Sequence, residues 1–261
     1  MLKLLATFLI LCSLVGSIFA QIGGITASKI NSVNHAPIDV GLAEFEPSYS
    51  FSRARQQWDQ NGDLSPIYST IDSIVIDASF NLRMAYAFTD QLEFGCNLGD
   101  GFSNWSAKYA VYTKNNLGIG LMLGANFPFG FAEIDTRNRT VDQIGTYGLG
   151  MIASYELNEQ ASIDFNAQIQ NYFQDNDDLP NNDIFVSIDY GHYVKDIYLL
   201  ASFLYQTSDF DGFQQNKLTF SPGLSFEMKP EYLIVANANF DLVGKQTEKT
   251  HGFSVAFTIT L

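Results

Sequence analysis

The sequence predicts an all-β fold, a single closed antiparallel transmembrane β-barrel of about 12 strands with short periplasmic turns and longer extracellular loops. Three observations predict it. Apolar and polar residues alternate within short segments along most of the chain. Tight turns alternate with longer polar segments. After residue 20, no segment approaches the roughly 20 consecutive apolar residues that a membrane-spanning helix requires.

The first segment, residues 1–20, is typical of a secretory signal peptide. Lys3 supplies a positive charge, residues 4–19 are mostly apolar, and small residues precede Gln21, where we expect cleavage. The alternative is an N-terminal membrane anchor, for which the apolar stretch is short and poorly flanked. Residues 21–37 lack alternation, and we expect a periplasmic tail, with a small plug as the alternative. The barrel would then occupy residues 38–261.

The predicted strands differ in composition but share the alternation of apolar and polar residues. In the last one, Phe253, Val255 and Phe257 share a face, and Ser254 and Thr258 lie on the other. The predicted strand spans are 40–52, 73–88, 92–101, 105–113, 117–127, 144–156, 161–173, 183–193, 197–207, 217–228, 232–242 and 251–261.

The predicted connections fall into two classes that alternate along the chain. Short turns on one side and long loops on the other are typical of outer-membrane barrels, where the turns face the periplasm. The short turns are 89–91, 114–116, 158–160, 194–196 and 229–231. The longer segments are 53–72, 128–143, 174–182, 208–216 and 243–250, with 102–104 as a shorter member of the same class.

The competing fold is a secreted soluble sandwich or a lipocalin-like barrel, whose apolar face points inward. The chain has 22 Phe and 13 Tyr, and its apolar faces carry more large side chains than one small core could hold. The opposite faces have few lysines, unlike a solvated exterior. Aromatic residues gather near the predicted strand ends, as at membrane interfaces. These features favour the membrane barrel, located in the bacterial outer membrane.

The net charge of −14 at pH 7 excludes the basic footprint of a nucleic-acid-binding protein. The expected partners are outer-membrane lipid and small solutes, and the sequence identifies no protein partner. After residue 20 the chain keeps one cysteine, Cys96, so it can form no intramolecular disulfide.

The stretch Gly41–Phe51, followed by Trp58–Asp63, resembles the first strand and loop of a family of bacterial outer-membrane barrels. That family is known as "MetA-pathway of phenol degradation" and is often described as a transporter family. The Phe-Ala-Gln sequence at 19–21 resembles the end of signal peptides in exported proteins of Bacteroidota. The resemblance implies an outer-membrane barrel that passes small molecules, and it transfers no set of functional residues.

Charged residues with inward parity are the candidate pore lining. Acids dominate this set, and a lining of one sign favours the opposite ion. The alternative is that they form hydrogen-bonded pairs that hold the strand register, which we favour for Arg83, Glu93 and Lys108. The full set of candidates is Glu44, Glu46, Asp77, Arg83, Glu93, Lys108, Glu156, Asp164, Asp189, Glu227 and Asp241.

Several glycines also have inward parity on neighbouring strands. Their small size would either allow the strands to bend or leave room in the lumen for a solute or for the tail at 21–37. They are Gly118, Gly120, Gly124, Gly148 and Gly150.

Nothing in the sequence predicts an enzyme. It contains neither a Gly-x-Ser-x-Gly motif nor a paired-histidine metal motif, and we predict no catalytic residue, cofactor or metal site. The acidic segments 59–63 and 175–183 are rich in oxygen ligands that calcium prefers, but solvated loops are the simpler interpretation.

The predicted function is passive or weakly selective passage of small solutes through a polar, acidic lumen, with the loop at 128–143 or the N-terminal tail as a constriction. The alternative is a non-conducting structural or surface-binding outer-membrane protein. A transporter of hydrophobic compounds and a barrel-embedded enzyme receive less support, because the predicted lumen offers no apolar path and no catalytic constellation.

Overall fold

The fold is described from a computed structural model of the 261-residue chain. The residues that the structure describes are 22, 29–68, 74–99, 101–128, 145–174, 179–210, 212–229 and 231–261. Within these ranges, no helix is long and apolar enough to cross a membrane.

The described residues form thirteen strands, of which twelve are long and one is a three-residue addition. The strands are β1 (Ala43–Trp58), β2 (Leu64–Pro66), β3 (Val75–Thr89), β4 (Leu92–Gly99), β5 (Phe102–Lys114), β6 (Leu117–Pro128), β7 (Thr146–Asn158), β8 (Ala161–Tyr172), β9 (Asn182–Val194), β10 (Ile197–Phe210), β11 (Phe213–Lys229), β12 (Tyr232–Lys245) and β13 (Glu248–Thr260).

The sheet closes on itself. From β3 to β13 each strand pairs antiparallel with the next, β3 also pairs with β1, and β13 pairs with β1 along most of its length. At the periplasmic end of this seam, Ala43 and Leu261 exchange two backbone hydrogen bonds of 2.9 Å each. The predicted closed barrel of about twelve antiparallel strands is therefore confirmed, and β2 adds to β1 at its extracellular end.

Alternation along each strand decides which side chains face the lumen. In β8, Asp164, Asn166 and Gln168 are buried, whereas Ile169 on the other face is 42% exposed. Large apolar side chains are exposed around the whole barrel. This inverted distribution fits a protein whose exterior contacts lipid and whose interior is polar.

Aromatic side chains cluster at both ends of the strands, as expected of membrane-interface residues. Near a periplasmic turn, Phe88 packs edge-on against Tyr86 and Phe94, at ring-centroid distances of 4.7 Å and 5.4 Å. Near the extracellular end, Phe173 lies 5.8 Å from Phe127 and 5.3 Å from Tyr147. These groups mark the two edges of the apolar band.

Four of the predicted connections, 53–72, 102–104, 208–216 and 243–250, are wrong in extent, because the strands continue into them. Phe210 pairs directly with Phe213, and β12 and β13 are separated only by residues 246 and 247. Gln246 has a φ of 51°, which suits a tight hairpin turn. These hairpin ends mix polar residues with isolated apolar ones such as Phe210, Phe213 and Val243, so the sequence shows no regular alternation there.

An arginine placed on the outer face should destabilise the barrel according to its depth. Ile188 and Val194 lie on the same face of β9 and are each 45% exposed. Ile188 lies six residues from the periplasmic end of that strand, near mid-membrane, so Ile188→Arg should lower the free energy of unfolding by about 2–4 kcal/mol. Val194→Arg, at the interface, should lower it by only about 0–1 kcal/mol. Guanidinium titration of both variants in lipid vesicles measures this, and equal losses would contradict the assignment of the outer face.

Candidate functional site in the barrel lumen

The lumen holds part of the chain itself. We refer to residues 29–38 as the N-terminal segment. Its backbone and side chains form hydrogen bonds with the inner faces of β4, β5, β7, β8, β9 and β10. Because these strands lie around one half of the barrel, the segment runs along the inner wall rather than beneath the barrel.

Asp189 on β9 is the central anchor of the N-terminal segment. Its Oδ2 atom accepts hydrogen bonds from three successive backbone N–H groups, those of Ile30, Asn31 and Ser32, at 2.8, 2.8 and 3.0 Å. Its Oδ1 atom accepts a hydrogen bond from the Ser202 hydroxyl group. Successive N–H groups that converge on one oxygen form an anion-binding nest. The protein thus fills this nest with its own carboxylate.

Two further contacts on β8 fix the segment beside this anchor. The ammonium group of Lys29 forms a buried ion pair with Asp164. Asn166 accepts a hydrogen bond from the backbone N–H of Val33 at 2.6 Å and donates one to its carbonyl oxygen at 3.0 Å. These contacts use both the charge and the backbone polarity of the segment.

The inward glycines provide space for side chains from the N-terminal part of the chain. An added Cβ at Gly118 would come within 2.1 Å of the imidazole ring of His35. The side chain of Ile22 occupies the corresponding space at Gly124, and its backbone N–H donates to Gln168 at 2.9 Å. At Gly148, Gln170 and the backbone of Ile169 lie closer to that space than Ile22 does. Of the two roles predicted for these glycines, room for the tail accounts for Gly118 and Gly124.

His35 is partly buried, and neither ring nitrogen has a hydrogen-bond partner among the described residues. Burial lowers the pKa of His35 below its usual value near 6.5, and the positive charge of Lys108 lowers it further, while Asp164 and Glu156 act in the opposite direction. The neutral imidazole is therefore the form that fits this position.

Towards the periplasmic end, the segment contacts a fully buried ion pair between Lys108 and Glu93, whose N–O distance is 3.2 Å. Lys108 also donates a hydrogen bond of 2.8 Å to the carbonyl oxygen of Ala36, and Glu93 accepts one of 3.1 Å from the backbone N–H of Ile38. Both charges thus hold the chain as it leaves the lumen and approaches β1.

Arg83 belongs to a separate cluster on the seam side of the lumen. It binds Glu46 through two nitrogens, at 3.2 and 2.8 Å, and Glu44 at 3.0 Å. Thr258 on β13 donates to Glu46, so the cluster links β3, β1 and β13. Of the predicted trio, Glu93 and Lys108 pair with each other, whereas Arg83 pairs with the two glutamates of β1.

The other predicted lining residues are Asp241, Asp77, Glu156 and Glu227, of which Glu156 lies close enough to His35 to act on its pKa. Asp241 is buried and accepts hydrogen bonds from Thr219 and Thr250. Asp77 is partly buried, while Glu156 and Glu227 are exposed near the periplasmic ends of their strands. Whether these residues and the others of the set line a conducting pore remains a prediction.

Sequence reasoning missed several anchors of the segment, because they are uncharged. Asn166, Ser154 and Ser202 bond to it from the inner faces of β8, β7 and β10. The sequence feature that could have revealed them is the run of polar residues on the inner faces of these strands, because buried polar groups need hydrogen-bond partners.

The described residues contain no group of three or more potential metal ligands. In the predicted calcium-type segment 59–63, Asp59 instead accepts the backbone N–H groups of Asn61 and Asp63, at 2.7 and 2.9 Å, which is an ordinary turn. In the second acidic segment, 175–183, residues 175–178 lie outside the described residues. His251 and Ser254 lie on opposite faces of β13, and Ser254 accepts a hydrogen bond from Asn239 inside the barrel.

Comparison with known proteins adds the fold class. No family model matches the chain, and no curated protein sequence matches it. Among solved structures, the chain is similar to the COG4313 outer membrane channel from Pseudomonas putida F1, with a TM-score of 0.72, 14% identity, and coverage of 89% of this chain and 100% of that one.

Two porins are also similar. The KdgM porin in complex with disordered oligogalacturonate gives a TM-score of 0.53 at 7% identity, covering 83% of this chain and 98% of that chain. The NanC porin gives 0.52 at 8% identity, covering 84% and 100%. Together with the apolar exterior, this fold decides the location. The chain is a β-barrel of the bacterial outer membrane. The specific resemblance to the "MetA-pathway of phenol degradation" family remains a hypothesis, because no family model matches.

The contact between His35 and Gly118 can be tested with a matched pair of glycine variants. Gly118→Ala should displace His35, because the new methyl group would overlap the imidazole ring. Gly120→Ala should disturb the segment less, because the nearest atoms to its added Cβ, the carbonyl oxygen of Tyr109 at 3.3 Å and the backbone of His35 at 3.5 Å, need to shift only slightly. Hydrogen exchange of the backbone amides at 30–38 should speed up more in the first variant than in the second, and unchanged exchange in both would contradict the docked position of His35.

Proposed function

We propose that this outer-membrane barrel allows passive or weakly selective passage of small solutes, and that the N-terminal segment forms the narrowest part of the path. The polar inner wall of a twelve-strand barrel carries this proposal. A barrel of eight strands is filled by its own side chains, and one of sixteen or more leaves an aqueous channel. Twelve strands leave an interior that a chain segment can narrow.

The charge of the lumen favours cations or neutral polar solutes over anions. Among the described residues of the interior, the basic groups are few and each lies near a carboxylate, as Lys29, Arg83 and Lys108 illustrate. Asp189 is bound by N–H and O–H groups that carry no charge. A low-dielectric wall concentrates the remaining negative potential within the lumen.

The second candidate function is a barrel with a closed lumen that serves as a structural or surface-binding protein. The observation that favours it is the number of hydrogen bonds that fix the N-terminal segment to the wall. If this segment never leaves and no gap remains beside it, the barrel conducts nothing. The two functions therefore differ in one measurable property, the ionic current.

Removal of the tail should increase the conductance of the refolded protein in a planar bilayer. We expect a small conductance for the full barrel and a larger one for a variant that lacks residues 21–37, because the deletion removes the segment bound to Asp189 and Asp164. Absence of current from both proteins would support the closed barrel instead.

Two single substitutions separate release of the N-terminal segment from the loss of lumen charge. Asp189→Asn removes the negative charge of the side chain that accepts three backbone N–H groups of the segment. Glu227→Gln removes one negative charge at an exposed position. Only Asp189→Asn should raise the conductance. Equal changes in the two variants would mean that lumen charge, and not the attachment of the segment, controls the current.

The current should also depend on pH through His35. Because burial lowers the pKa of His35 in the docked state, the neutral imidazole favours the docked form above about pH 6.5, and this contribution is lost as the pH falls from there through the lower pKa of the docked state. The conductance should therefore rise on acidification from about pH 8 to about pH 5. His35→Phe keeps an aromatic ring but cannot be protonated, so the conductance of this variant should rise less on acidification. An identical pH profile in this variant would exclude His35 as the group responsible.

A further inference from the structure

A cluster of basic side chains lies on the outer face of the barrel where its two ends meet. Arg53 and Arg55 on β1 and Lys249 and His251 on β13, together with Gln56, line a cavity of about 210 Å³. We refer to these five residues as the seam patch. It is distinct from the lumen site, because the patch faces outward.

The register of the seam places these side chains on the lipid-facing side. Arg53 pairs with His251, and Gln56 pairs with Lys249. His251 has the same parity as Phe253, which is 46% exposed on the outer face. The register shifts between Ala54 and Gln56, so Arg55 is the extra residue of a bulge. Bulges redirect a side chain, and here Ala54 is buried while Arg55 is exposed.

The height of the seam patch matches the edge of the membrane. Arg53 lies ten residues beyond Ala43, which pairs with Leu261 at the periplasmic end. At about 3.3 Å per residue and a tilt of about 40°, this corresponds to roughly 25 Å, the height of the apolar band of such barrels. Below the patch the wall is apolar, with Tyr49 and Phe253 exposed and Ile76 beside Arg53. The patch therefore lies at the level of the outer-leaflet headgroups.

The positive charge of the seam patch is not neutralised by the described part of the protein. Among the described residues, no carboxylate lies within ion-pair distance of Arg53, Arg55 or Lys249. Lys249 is positioned by Trp58, whose ring centroid lies 5.7 Å from the ammonium nitrogen. A chain of net charge −14 thus carries a concentrated positive site at the lipid headgroup level.

We propose that the seam patch binds the phosphate of an outer-leaflet lipid, whose acyl chains lie along the apolar wall below it. Guanidinium groups bind phosphate oxygens in pairs with good geometry, and Arg53 and Arg55 supply two of them beside an ammonium group. The seam patch borders directly on the exposed apolar face, so a molecule with both a phosphate and acyl chains, that is a lipid, fits it best. A bound lipid would also contact both strands of the seam, β1 and β13.

Native mass spectrometry of the refolded, detergent-solubilised barrel with bis-phosphorylated lipid A tests the proposal. The variant R53Q/R55Q/K249Q should bind lipid A about tenfold more weakly than the unmodified barrel, because three charge-assisted contacts are lost. The control K114Q/K195Q/K229Q removes three exposed positive charges at the periplasmic ends and should bind as the unmodified barrel does. Heat-modifiable electrophoretic mobility verifies that each variant is folded.

Several outcomes would overturn the proposal. Equal weakening in the two triple variants would mean that net charge alone attracts the lipid. If dephosphorylated lipid A binds as tightly as the phosphorylated form, the phosphate is not the group that the seam patch recognises. If inorganic phosphate displaces bound lipid A at the same concentration as unbound lipid A does, the seam patch is a site for free phosphate. If the triple variant does not fold, Arg55→Gln decides by the same measurement, since this bulge residue has no cross-strand partner on β13; unchanged affinity in that variant would overturn the proposal.

Discussion

The closure of the sheet between β1 and β13 is the constraint on which the rest of the structure depends. Backbone N–H and C=O groups in a bilayer must find partners within the protein, because lipid offers none. An open edge at this seam would expose a row of them. Pairing from Glu44–Thr260 to Gln57–Glu248 removes that edge, and the Arg83 cluster reinforces it from inside through Glu44, Glu46 and Thr258.

Closure creates a second problem, which is a polar interior with limited access to water. Buried polar groups need partners, and the protein supplies many of them from its own N-terminal segment. The backbone N–H groups of Ile30, Asn31 and Ser32 and the carboxylate of Asp189 satisfy one another. A part of the polar lumen is thus satisfied by a chain segment, and the attachment of this segment to the wall is polar, unlike the packing of an apolar core.

The two proposed activities lie on opposite faces of the same wall. The inner face holds the N-terminal segment and would control passage, while the outer face at the seam carries cations at the level of the lipid headgroups. They meet in β1, whose Glu44 and Glu46 point inward and whose Arg53 and Arg55 point outward. A lipid bound at the seam would therefore contact the same strand that holds the inner cluster.

The sequence by itself determined the fold class, the strand order and the face of most side chains, because alternation follows directly from the two-residue period of a strand. It also placed Asp164, Asp189 and Lys108 on the inner face. It could not assign their partners, because parity gives a side chain's face but not the position of a segment without alternation. The ends of β10 to β13 were missed for a related reason, since apolar and polar residues do not alternate regularly there.

Only the tertiary structure decided where residues 29–38 lie and that the seam patch exists. Many of the segment's contacts are hydrogen bonds from its backbone, which almost any residue type could donate, so its sequence carries little sign of them. The seam patch joins Arg53 and Arg55 with Lys249 and His251 from the opposite end of the chain. Neither pair is notable alone, and the positive charges of Arg53, Arg55 and Lys249 come together only because closure of the barrel brings the first and last strands together.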